Sequence, residues 1–179
     1  MNISSQPSEV NPHKYKPSLA DHWASFLDKP EWRWALYGHF TFRDRNPDDK
    51  GLRKFVHPES GGKMWDGFIH TMNKEIFGNR YYKRKNDGVV WARATELQVR
   101  GALHYHAIIG RVPDSIRRMD YIDEWNRVAG FARLYAYEAG KGAEHYLSKS
   151  CYAWKHGEID LGGPLVRLIE EKQSAGLFG

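Results

Sequence analysis

Two histidines one residue apart, His104 and His106, follow an acid and an amide, Glu96 and Gln98, across the short connection Arg100-Gly101-Ala102. In an extended strand alternate side chains share a face, so His104 and His106 point one way and Tyr105 the other. If the connection closes a tight antiparallel hairpin, Val99 lies opposite Leu103, Gln98 opposite His104 and Glu96 opposite His106. Paired residues project to the same side of a sheet, which gathers Glu96, Gln98, His104 and His106. Glu96, His104 and His106 together make a ligand set for a divalent ion, Mg²⁺ or Mn²⁺, with room left for water or a phosphate oxygen. Gln98, whose carboxamide oxygen also binds hard cations, is a supporting or fallback donor.

Downstream stands Tyr146-Leu147-Ser148-Lys149. A helix from Gly142 to about Trp154 would bury Ala143, Leu147, Cys151 and Trp154 in one stripe. Tyr146 and Lys149, three residues apart, would share a flank away from the centre of that stripe. A phenol titrates near 10 in solution and needs a nearby cation or base to attack at neutral pH. Lys149 can supply positive charge there or protonate the leaving oxygen, and Tyr152 is the rival nucleophile.

The run His104-Tyr105-His106, with Tyr146-x-x-Lys149 after it and the hydrophobic His39-Phe40-Thr41-Phe42 before it, resembles the three motifs of HUH endonucleases, in the family's order. The carboxylate of Glu96, eight residues before His104, is similar to that of the single-tyrosine rolling-circle replication initiators. The resemblance covers roughly residues 33 to 155. It implies metal-dependent, sequence-specific nicking and joining of single-stranded DNA, with Tyr146 becoming linked to a 5′-phosphate and a free 3′-hydroxyl released. It further implies single-stranded or hairpin origin DNA as substrate and a host helicase and polymerase as partners. A transposase or relaxase is the nearest alternative in the class, although relaxases generally show a third histidine near the pair. Outside it stand a non-catalytic RNA-recognition-type binding module and a small metal-dependent hydrolase that uses water.

The elements that must position these groups follow from pattern. Residues 1–17, with three prolines among polar residues, read as a mobile leader, and Ser18 caps a short helix to about Leu27 that lies as a lid on the sheet. Trp32 to Phe42 reads as a central strand apolar on both faces, with His39 a strand histidine that binds no metal, or else an extra polar group near the site. A long polar loop, residues 43–61, closes on Gly61-Gly62, and Lys63 to about Phe77 forms a helix carrying Met64, Trp65, Phe68 and Met72. Arg80-Tyr81-Tyr82-Lys83-Arg84-Lys85 interleaves cations with aromatic faces and is the first candidate for gripping DNA, as a hairpin tip or strand entry. Val89–Val99 and Leu103–Gly110 form the hairpin. Asp114 caps a helix to about Val128 with Ile116, Met119 and Trp125 inward, Gly130 ends it, and 131–137 alternates as a strand. The order strand, helix, strand, strand, helix, strand is that of an α+β, ferredoxin-like or RNA-recognition-type split βαβ core with an antiparallel central sheet, followed by the helix of Tyr146.

Composition sets the bounds. The chain has 179 residues and 27 basic against 22 acidic side chains, a net charge of +5 that suits nucleic acid without demanding it. Residues 18–155 are expected to make up the endonuclease domain that the resemblance implies, and 156–179 an extension. Gly61-Gly62-Lys63 and Gly140-Lys141-Gly142 lack the frame of a Walker loop, so unwinding must come from elsewhere. A lone Cys151 excludes an intrachain disulfide and a multi-cysteine zinc site, and no apolar run suggests a signal or a membrane span. A cytoplasmic protein is expected.

Overall fold

The computed structural model describes residues 18–43, 55–153, 159–164, 166, 167, 169 and 171, with the side chains of 149–153 outside that set. Five antiparallel strands and four helices make an α+β structure. In chain order they are α1 (Leu19–Leu27), β1 (Trp34–Phe42), α2 (Pro58–Phe77), β2 (Val90–Leu97), β3 (Leu103–Gly110), α3 (Arg118–Val128), β4 (Gly130–Ala136), α4 (Ala143–Ala153) and β5 (Ile159–Gly162). The sheet order is β4-β1-β3-β2-β5, so β1 and β3 lie inside it.

The period-2 pattern of β1 divides the molecule into layers. Leu36, Phe40 and Phe42 meet Trp65, Phe68 and Met72 of α2 and Tyr121 and Trp125 of α3 in the larger core. Phe40 sits edge-on to Trp65, Phe68 and Trp125, with ring centroids 5.1, 5.5 and 5.0 Å away. On the other face Leu27 of α1 and Ala143 and Leu147 of α4 pack on Ala92, Ala94 and Ile108. Helices therefore cover β2 and β3 on this second face, while Phe131 and Tyr135 of β4 remain exposed there. A bulge in β1 sets Trp34 opposite Gly110 and Leu36 opposite Ile109, leaving Ala35 as the extra residue. The kink turns Trp34 toward α1, where its indole Nε1 donates to the Leu27 carbonyl at 2.5 Å.

Several elements begin elsewhere than their patterns predict. α2 starts at Pro58 behind an N-cap at His57, so Gly61 and Gly62 belong to the helix and do not close the loop. A Cβ on Gly61 would stand 2.4 Å from Leu103 Cδ2 and 2.7 Å from the Tyr105 hydroxyl, so glycine is what lets the helix approach the sheet. Most of the expected 43–61 loop lies outside the described residues. α3 starts at Arg118, four residues after the expected cap at Asp114, and Met119 is exposed while Tyr121 takes the inward position. Gly130 opens β4 where it was expected only to end a helix, because a Cβ there would stand 2.2 Å from the Thr41 carbonyl oxygen. Ser18 caps α1 as expected, its hydroxyl accepting from Asp21 N at 3.2 Å. Within 156–179, set apart as an extension, Ile159–Gly162 adds the fifth strand against Trp91–Ala94. No helix among the described residues is long and apolar enough to cross a membrane.

Candidate metal and tyrosine site

The second face of the sheet carries the candidate chemistry. β1 presents Tyr37, His39 and Thr41 to it, and the pairing sets His39 opposite His106 and Thr41 opposite His104. The β2–β3 hairpin turns one residue earlier than expected, with Gln98 N donating to the Ala102 carbonyl at 2.9 Å and Gly101 at φ +86°. Only a residue free of a Cβ takes that φ without strain. The register moves by two: Glu96 faces His104, Ala94 faces His106 and Leu97 faces Leu103. A shift of two keeps the face, so Glu96 still lies on the histidine side. Gln98 is no longer opposite His104, and its Oε1 accepts from Arg100 Nε at 3.1 Å.

His39 is the main correction. Read as a strand histidine without a metal, it instead joins His104 and His106 in a trio whose ligand atoms all lie within 4.8 Å of one another, close enough to hold a metal ion. β1 is not apolar on both faces: Tyr37, His39 and Thr41 give this one a polar lining. The alternation of those three residues with Leu36, Gly38, Phe40 and Phe42 was the available signal. Glu96 stands beside the trio, its Oε2 3.2 Å from His106 Nε2.

The rings are held in place. Thr41 Oγ1 lies 2.9 Å from His104 Nδ1, leaving His104 Nε2 for a ligand, and the Tyr37 hydroxyl lies 3.5 Å from His106 Nδ1. Burial holds His104 down at about 4 and His106 at about 3, with the charge of neighbouring imidazoles adding to the effect. His39 is also lowered, by burial first and then by Arg133. All three imidazoles are therefore neutral at pH 7 and keep a lone pair for a metal.

Tyr146 is set against this group by α4. Ala143 and Leu147 fasten the helix to the sheet, and the Tyr146 ring lies 4.5 Å, centroid to centroid, from that of His106 and 6.5 Å from that of His39. The phenol is 44% exposed, so it is at once next to the imidazoles and open to a ligand. Burial raises its pKa, and the charge of Glu96 raises it further. Lys149 lies in α4 three residues on, and its side chain, like that of Tyr152, is outside the described residues.

The basic segment Arg80–Lys85 is not brought to this site. Tyr81–Lys83 form a short 3₁₀ turn after α2, and Tyr81 OH lies 2.9 Å from His70 Nδ1 on that helix. Arg84 pairs with Asp87 at 2.5 Å and Lys85 with Glu171 at 2.9 Å. The segment precedes Val90, whereas Glu96 lies near the other end of β2, about 20 Å away along the strand. A cation that the fold does bring to this face, among the described residues, is Arg133, which stands opposite His39 in the neighbouring strand. Compared with family models, with curated proteins and with solved structures, the chain matches none.

Proposed function

We propose that this chain is a metal-dependent single-stranded DNA nicking and joining enzyme of the HUH type, with Tyr146 as nucleophile. The observation that carries this reading is the Tyr146 ring at 4.5 Å from His106, on the same face as three clustered imidazoles. The strand order β4-β1-β3-β2, with α2 and α3 as crossovers on one face, supports a split βαβ, ferredoxin-like core with β5 added at its edge.

His39, His104 and His106 would hold the ion, with Glu96 alongside. Three neutral nitrogen donors suit Mn²⁺ or a later transition ion better than Mg²⁺, which prefers oxygen. A divalent cation bound there would supply Lewis acidity toward a non-bridging phosphate oxygen. The chain's own groups do the rest. Tyr146 Oη forms a bond to phosphorus while the bond to the 3′ oxygen breaks. The products are a 5′-phosphotyrosine and a 3′-hydroxyl, and the reverse attack rejoins the strand. Because the phenol of Tyr146 holds its proton tightly here, attack needs an acceptor, and Glu96 is the carboxylate whose charge reaches it. Lys149 remains the proposed cation, either beside the Tyr146 phenol or at the leaving oxygen.

A transposase or relaxase is the alternative within the class; the stretch around His104 and His106 lacks the third histidine that relaxases generally show there, and His39 reaches the pair from another strand. Incubating the protein with end-labelled single strands and Mn²⁺ tests the proposal. A denaturation-resistant protein–DNA adduct that disappears in Tyr146→Phe is expected. Cleavage with no adduct would instead indicate a water-using hydrolase, and binding with neither would indicate a non-catalytic module.

A further inference from the structure

The uncovered part of the second face raises the question of what touches it. Along β4, Phe131, Arg133 and Tyr135 project on the same side as Thr41, His39 and Tyr37, their partners in β1. Phe131 is 53% and Tyr135 45% exposed, and the Arg133 guanidinium lies 5.4 Å from the Phe131 ring centroid. Two large aromatic rings left in water with an arginine between them are an uncommon use of an edge strand in a protein that must stay dissolved.

Each ring opens onto a depression. Beside Phe131 is one of about 420 Å³, lined also by Thr41, Phe42, Arg43, Arg100 and Gly130. Beside Tyr135 is one of about 360 Å³ that Tyr37, Tyr146 and Lys141 help to line. Four residues separate the two rings along the strand, about 13 Å, which is too far for one base to meet both. Arg133 stands midway, opposite His39.

We infer that β4 is the track for the unpaired DNA strand: one base stacks on Phe131, another on Tyr135, and Arg133 neutralises the phosphate run between them beside His39. This rests on the nicking reading and adds where the substrate lies. It places the scissile phosphate between two base seats lined by different residues. Aromatic faces stack any base, and an arginine meets the backbone, which is how single strands are held without a duplex. The Tyr135 depression shares Tyr146 as a wall, so the base seated there adjoins the attacking phenol.

The test is binding of a fluorescein-labelled oligothymidylate of about 20 nucleotides to the full chain in chelator, read by anisotropy, beside a duplex of the same length. Phe131→Ala and Tyr135→Ala should each weaken single-strand binding roughly 5- to 150-fold, the equivalent of about 1 to 3 kcal/mol per stacked base. Arg133→Ala should lower the slope of log affinity against log salt by about 0.7. Tyr135→Leu, which keeps apolar bulk without a ring, should behave like Tyr135→Ala, and duplex binding should not respond to any ring variant. Affinities equal to the parent's in all of these variants would overturn the track. The adduct assay is separate: ring-dependent binding without an adduct would keep the track and remove the catalytic reading.

Discussion

At the scale of single residues the site depends on three imidazoles that stay neutral. His104 and His106 would each take a proton near 6.5 in the unfolded chain but only at about 4 and about 3 in the fold. Between those limits the unfolded state binds more protons, so the metal-free protein should lose stability as pH falls from about 6.5 toward 3. Thermal midpoints in chelator across that range should show the loss, and His106→Gln should flatten it. His39→Ala should weaken Mn²⁺ binding at least about 10-fold by calorimetry, since it removes a donor from the trio, and unchanged affinity would remove His39 from the ligand set. Thr41→Val should weaken the same binding by about 10-fold or more by freeing the His104 ring, with the fold intact. The pair His104 and His106 was legible because period 2 puts both on one face. His39 was legible only by combining the alternation in β1, which puts it on a polar face, with the pairing of β1 and β3, which its own neighbours in sequence do not reveal.

Elements explain why these side chains converge. α4 can present Tyr146 to the imidazoles because Ala143 and Leu147 give it an apolar seam against Ala92, Ala94 and Ile108. α2 comes close on the other face because Gly61 has no side chain. Gly61→Ala should therefore cost about 1 to 3 kcal/mol in urea unfolding, with Leu103 and Tyr105 forced aside. The strands and helices of the core were readable from hydrophobic period, and β3 has the predicted limits. Helix starts were less readable: α2 and α3 begin where a glycine or a turn suits the sheet beneath, a condition that a one-dimensional pattern does not carry. The hairpin turn at Gly101 was misplaced by one residue, yet the face of Glu96 survived because a shift of two restores it.

For the whole molecule the least legible part was the chain beyond 155. β5 is four residues long, too short for its alternation to announce a strand, and what fastens it is distant in sequence. Arg93 lies buried with its guanidinium 4.2 Å from the Tyr105 ring centroid, and it reaches Asp160 of β5. Asp160→Ala should leave that guanidinium without its carboxylate and lower stability by about 1 to 2 kcal/mol, less than a fully buried pair would cost because Asp160 is partly in water. A thermal midpoint equal to the parent's would show that β5 is held by its backbone alone. The basic run Arg80–Lys85 was conspicuous in sequence for its charge, but charge does not reveal at which end of a sheet a loop emerges.

Glu96 lies next to the last residue of β2, where the strand runs into the hairpin turn at Gly101. His39, His104 and His106 hang from the two strands inside the sheet, and Glu96 from the turnward end of β2. The cluster thus has a stiff wall of nitrogen and a yielding lip of oxygen. Ions of different radius would be accommodated by movement of the carboxylate, and amide hydrogens of 95–97 should trade with deuterium well before those of 104–108.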